Sequence, residues 1–304
     1  MADVTISSAR ATELGLAPAG KPRGMIRRAW EVFAENKLAL AGVGFVIFIF
    51  LFCFLGPVFY HTNQVNTDLE TYLCHPSGSH LLGCDDLGYD ELGRLMIGGQ
   101  TSLEVGLAAA LISVLIGTLY GAISGFVGGA VDAVMMRIVD AGLSIPGLMV
   151  IIILSVIFHP TPLVIILIIA FLYWFGVARL VRGETLTLRT REYVQAVRVI
   201  GGRPMRSVLR HIIPNAIGTI IVQGTFAVAD SILTLSGVGF LGLGVAPPAT
   251  DWGSMLSGGL NYIQGGNYWW LIYPPGVAII LTCIAFNFIG DALRDAFETR
   301  LQRR

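Results

Sequence analysis

The chain has 304 residues, 54% hydrophobic and only 13% charged, with a mean hydropathy of +0.72. Soluble domains carry about 25% charged residues, so this balance excludes a water-soluble globular enzyme and points to an all-α polytopic membrane protein. The formal net charge is zero, so bulk charge implies no nucleic-acid partner.

Residues 1–37 read as a cytoplasmic N-terminal tail. Met1 to Gly20 lacks the apolar core of a signal peptide, so the first span is expected to be an uncleaved anchor, and these residues read as disordered. Gly15, Gly20 and Lys21 match the start of a phosphate-binding loop, but Pro22 replaces the required hydroxyl residue and no strand precedes it. With only two lysines in the chain, no other such loop can be built, so the chain is expected to hydrolyse no ATP. Trp30 and Phe33 sit among charges between Arg27 and Asn36, which suits a helix lying along the membrane surface.

Six apolar runs approach the ~20 residues a bilayer needs. They are about Leu38–Tyr60, Thr101–Val127, Ala133–Phe158, Leu163–Leu180, Ala216–Leu235 and Leu271–Ile289. Residues 38–60 form the first helix, 61–100 an extracytoplasmic loop, and 101–300 a domain holding the other five spans. Six spans with both termini in the cytoplasm put 19 of the 20 basic residues on that side, leaving only Arg94 outside, as the positive-inside rule requires.

The loop 61–100 carries Cys74 and Cys84. A disulfide is the first reading for two thiols in an oxidising compartment. His75 and His80 offer a Cys-His-x4-His-x3-Cys metal site as an alternative, and free thiols with solvated histidines a third. No metal is assigned. Cys53 and Cys283 fall inside spans as apolar packing residues. Asp85 and Asp86 read as capping the following turn, with cation binding as the alternative.

Gly117, Gly121, Gly125 and Gly129 recur every four residues along the second span, a spacing that lets helix backbones approach closely in lipid. Packing within the chain is the plainer reading, an interface near a translocation path the other. Pro146 is expected to kink the third span.

Residues 189–214 are polar and arginine-rich, and two short amphipathic helices can be read in them. Tyr193, Ala196, Val197 and Ile200 follow helical spacing, and Met205, Val208, Leu209 and Ile212 repeat it. Gly201 and Gly202 break the first, and Pro204 suits the first turn of the second. Such a pair in a cytoplasmic loop is expected to hand force to a soluble partner. The fifth span contains Asp230; a structural hydrogen bond to a neighbouring chain or to water is the first reading, a place on the cargo path the second. A long outer loop, 240–270, precedes the last span.

The 189–214 stretch resembles the EAA coupling motif of bacterial ABC importer permeases, whose pattern runs Glu-Ala-Ala, three residues, Gly, nine residues, Ile, one residue, Leu-Pro. Gln195-Ala196-Val197, Gly201 and His211-Ile212-Ile213-Pro214 stand at those places; Gln195, Val197 and His211 depart from it. Glu192-Tyr193-Val194, Arg210-His211 and Asn215 are similar to the form found in the dipeptide/oligopeptide/nickel permease family. That family is also matched by Leu82-Gly83-Cys84-Asp85, with departures at Cys84, Tyr89 and Gly93. Further matches are Phe240-Leu241-Gly242-Leu243-Gly244, Pro247-Pro248, Trp252-Gly253 and Phe286-Asn287 through Asp295. The resemblance implies a type I ABC importer permease fold in a bacterial cell membrane and no catalytic activity. It implies a homologous permease as heterodimer partner, two ABC ATPase subunits that bind ATP and Mg, and an extracytoplasmic binding protein. The implied cargo is di- or oligopeptide, the same machinery in relatives taking nickel, haem, glutathione or oligosaccharide. Two rival classes fare worse: an intramembrane enzyme lacks paired polar residues, and residues 192–212 as a DNA-binding helix-turn-helix would be tethered at both ends.

Overall fold

The computed structural model describes residues 25–62, 64, 66–199, 204–262 and 266–298. The tail through residue 24, the turn containing Ile200, Gly201 and Gly202, and Arg300, Arg303 and Arg304 lie outside these residues. The described chain is helical: α1 (Met25–Glu35), α2 (Lys37–Phe59), α3 (Glu91–Val127), α4 (Gly129–Ser144), α5 (Gly147–Ile157), α6 (Pro162–Leu188), α7 (Glu192–Val199), α8 (Pro204–Phe240), α9 (Trp252–Leu260) and α10 (Tyr273–Glu298). Among the described residues the only β-type pairing is an isolated bridge between Cys84 and Asp90.

Five of these helices are long and apolar enough to cross a membrane, six if the bent pair α4–α5 is counted as one span. The expected third span is therefore not one kinked helix but two, bent by 80°. Proline explains the break: Pro146 has no N–H to donate, and its ring pushes Ile145 into an extended conformation, φ −90°, ψ 127°.

Helix α3 starts at Glu91, well before the expected Thr101, because Asp90 caps it by accepting from the Gly93 N–H at 2.8 Å. Residues expected in the outer loop thus belong to the span. Asn36 separates α1 from α2 in the same way, accepting from the Leu38 and Ala39 amides at 3.0 and 3.2 Å.

The central pair is α3 against α6. Gly121 lies against the Ala178 carbonyl, and a Cβ there would meet the Arg182 nitrogen at 2.9 Å; one at Gly125 would meet the Arg182 carbonyl at 2.9 Å. Gly117 faces Val177 in the same row, whereas Gly129 touches nothing and instead supplies a φ of +60° at the α3–α4 turn. The glycine row serves packing within the chain. Helix α8 packs on α3 and α10, and α10 on α2. Their shared core holds Ile49, Leu103, Ile232, Trp252 and Phe286.

The second amphipathic helix is not a separate element. It is the beginning of α8, joined to the fifth span through a π-turn at Val208–Ile212. Pro214 requires this: it cannot donate to the carbonyl of Arg210, and the register shifts so that the Ile213 N–H bonds the Val208 carbonyl. The Asn215 side chain satisfies the His211 carbonyl at 2.6 Å.

Candidate functional site

At one end of the bundle α7 lies against the start of α8. Glu192 opens α7 in its first turn, exposed, and Gln195 donates from Nε2 to the Thr190 carbonyl at 3.2 Å. Val194 is the anchor, 2% exposed, packed with Val208, Ile212, Phe126 and Val181. Of the stripe read from spacing, Tyr193 and Ala196 are exposed and Val197 half-buried, while the residue packed into the bundle is Val194, outside that stripe. An eight-residue helix with apolar residues at 193, 194, 196 and 197 offers two faces, so spacing alone cannot choose between them.

The stripe on α8 also divides. Val208 and Ile212 turn into the bundle, whereas Met205 and Leu209 are each 50% exposed. With Tyr193 and Val199 they form an apolar tip outside the core. His211 is half-buried and Pro214 exposed just above it. The packed half-stripes fix the pair to the bundle and the exposed halves are left to be covered.

Behind this tip runs a charged clamp that sequence reasoning missed. Asp132 on α4 accepts two hydrogen bonds from Arg182 on α6, both at 2.6 Å, and one from the Ser124 hydroxyl on α3 at 2.5 Å. Arg189, at the end of α6, donates to the Gly125 carbonyl at 2.9 Å. Three helices are thereby tied together next to α7. The acid and its arginine stand 50 residues apart, and no local pattern pairs them.

Beside the α4–α5 break lies a cavity of about 280 Å³. Its walls include Gly142, Ile145 and Gly147 from the break, Tyr173 from α6 and Thr234 from α8. The Tyr173 hydroxyl bonds the Thr234 hydroxyl at 2.6 Å and donates to the Asp230 main-chain carbonyl at 3.4 Å. Asp230 is exposed one helical turn before Thr234, and among the described residues its carboxylate has no hydrogen-bond or ion-pair partner.

At the opposite end Cys74 and Cys84 are joined by a disulfide, S–S 2.04 Å. His80 stands beside the pair and bonds Asp90 at 3.0 Å, while His75 packs at a tilt against Trp270 with ring centres 5.0 Å apart. The two histidines thus point to different partners. Asp85 accepts from the Leu87 and Tyr89 amides at 2.9 and 2.8 Å, closing the turn, and burial pushes its carboxyl above the usual range. The Trp270 indole donates to the Cys84 carbonyl at 3.2 Å, pinning the last outer loop to the first. In that last loop Asp251 is fully buried at the start of α9 and accepts from the amides of Gly253, Ser254 and Val245 and from the Ser254 hydroxyl. Burial nonetheless raises its carboxyl above the ordinary range. Trp252 donates to the Leu95 carbonyl at 2.9 Å.

Residues 93–303 match the family described as the binding-protein-dependent transport system inner membrane component, and residues 24–76 match the N-terminal TM domain of oligopeptide transport permease C. The chain is 39% identical over 275 residues to the dipeptide transport system permease protein DppC of Bacillus subtilis, covering 90% of this chain and 86% of that protein. It is 41% identical over 280 residues to the oligopeptide transport system permease protein OppC of Salmonella typhimurium, covering 91% and 92%. Against DppC of Escherichia coli the match is 39% over 298 residues, 96% of this chain and 99% of that one. Among solved structures, a chain of the MetNI methionine ABC transporter in inward facing conformations superposes with a TM-score of 0.55 at 18% identity, covering 67% of this chain and 96% of that chain. That likeness speaks for the fold.

Proposed function

This chain belongs to the family of binding-protein-dependent transport system inner-membrane components, and from that membership we infer that it is the permease subunit through which an ATP-driven importer passes di- and oligopeptides. It is a multi-pass membrane protein with the type I ABC importer permease fold. In this reading a homologous permease completes the path, two ATPase subunits dock below, and a binding protein delivers cargo above. ATP hydrolysis belongs to those ATPases, and the present chain contributes motion rather than chemistry.

The observation that carries the coupling role is the apolar tip. Tyr193, Val199, Met205 and Leu209 are exposed on α7 and the start of α8, in the arginine-rich stretch of the sequence. The positive-inside rule assigns that end to the cytoplasm. Helix α8 then supplies the transmission. Its 37 residues span about 55 Å at 1.5 Å per residue, and it runs unbroken from Met205 at the tip to Thr234 at the cavity. A tilt imposed on the tip by closing ATPases is delivered to the mid-span without crossing a loop. The Asp132–Arg182 clamp obliges α4 and α6 to follow. Movement of this kind switches the cavity between the two sides, a rigid-body form of alternating access.

The test is uptake in proteoliposomes containing this chain, its partner permease, both ATPases and the binding protein. ATP-dependent accumulation of a radiolabelled dipeptide is expected. Accumulation of nickel, haem, glutathione or oligosaccharide in place of peptide would overturn the cargo assignment.

A further inference from the structure

We propose that Asp230, Tyr173 and Thr234 form a cargo subsite for a protonated primary amine, beside the cavity where α4 breaks into α5. The subsite presupposes that the chain is an importer permease, and it names the residues that meet the cargo. Intramembrane carboxylates are costly and persist where they face a cavity or a partner. Two other acids in these spans are answered, Asp132 by Arg182 and Asp140 by Arg179 at 2.5 Å, whereas Glu104 on α3, like Asp230, has no ion-pair partner among the described residues. Among the described residues Asp230 has no counter-charge, yet it lies exposed one turn from a cavity wall.

The surrounding groups fit an ammonium better than a hard metal ion. An ammonium presents three donors and no acceptor. Acceptors lie on neighbouring turns here: the oxygens of Tyr173 and Thr234, which sit 2.6 Å apart and keep lone pairs beyond the bond they share, and the carboxylate of Asp230, one turn before Thr234, whose main-chain carbonyl Tyr173 also bonds. A hard metal ion would need about six oxygen ligands, and one carboxylate with two hydroxyls falls short. A cavity of about 280 Å³ is at the small end of ligand pockets, room for the amino end of a peptide rather than a whole oligopeptide. Backbone left without helical partners at Ile145–Gly147 adds polar groups to the same wall, where irregular backbone is tolerated because it lines a cavity.

The test compares wild type, Asp230→Asn and Asp230→Glu in the complete complex in proteoliposomes. Each is given a dipeptide with a free amino terminus and its N-acetyl analogue. Asp230→Asn is expected to lower free-amine uptake about tenfold, as loss of a charge-assisted hydrogen bond implies, with N-acetyl uptake at its wild-type level and Asp230→Glu restoring most of the free-amine rate. Unchanged free-amine uptake in Asp230→Asn, or an equal loss for both peptides, would overturn the subsite while leaving the permease function standing. A wild-type complex that moves no peptide would refute the peptide cargo instead. A second measurement then decides the subsite without any cargo. Thr234→Cys, in a background with Cys53 and Cys283 replaced by alanine, is labelled in membranes with a cationic aminoethyl or an anionic sulfonatoethyl methanethiosulfonate. The cationic reagent should react several-fold faster, and the preference should vanish when Asp230→Asn is added; an unchanged preference would contradict the proposal.

Discussion

Asp132 and Arg182 show what one residue pair does inside this bundle. Their side chains are 13% and 32% exposed, so each charge depends on the other for most of its solvation. Arg182→Met removes one partner and strands the carboxylate; a cost of about 2–4 kcal/mol is expected. Thermal melting of the purified complex in detergent should show it as a clear drop in Tm. The double substitution Arg182→Met, Asp132→Leu should recover much of the loss, because two apolar groups need no partner. Equal melting of wild type and Arg182→Met would refute the clamp. Asp251 offers a second case. Its Oδ2 accepts from the Val245 N–H and the Ser254 hydroxyl, so Asp251→Asn sets an NH2 donor against a donor in one orientation, or loses the Gly253 and Ser254 amide bonds in the other. A local loss of about 1–2 kcal/mol should raise hydrogen exchange at residues 245, 253 and 254 roughly tenfold. Exchange at the wild-type rate would contradict that role.

Among the elements, the α3–α6 crossing is the least tolerant of added volume. Gly121 sits directly on the Ala178 carbonyl, and backbone cannot move aside as a side-chain tip can. Gly121→Leu should therefore separate the helices, seen as loss of monodisperse protein on size exclusion, while Gly44→Leu, where nothing lies within 4 Å, should be neutral. Normal behaviour of both would mean the row does not fix the crossing. Close packing at this row was legible in the sequence because four-residue spacing of glycine lets backbones approach in lipid, though Gly129 proved to serve the turn instead. The 80° break between α4 and α5 was legible only as a kink, since Pro146 announces a defect but not its angle. The start of α8 was misread as a free helix. A π-turn lets the helix absorb Pro214 and continue into the fifth span. The division of both amphipathic stripes into packed and exposed halves follows from the tertiary position of α7, which no local period encodes.

For the whole molecule, the apolar runs mark the helices long enough to cross a membrane before any contact is known, and the sorting of basic residues gives the expected orientation. What they leave open is how the ends communicate with the middle. Continuity of α8 from Met205 to Thr234 supplies that link, with Val194, Val208 and Ile212 holding α7 to the same body. The molecule is thus read as a lever whose exposed tip is driven and whose cavity responds. Because Met205 and Leu209 are half-exposed, Met205→Asp with Leu209→Asp alters the tip without opening the core. The decisive measurement is co-purification of the ATPase subunits, together with ATP hydrolysis stimulated by cargo-loaded binding protein in liposomes. The doubly substituted chain should keep its partner permease and lose the ATPases, or retain them with stimulation abolished; full docking with normal stimulation would contradict the coupling role of this tip.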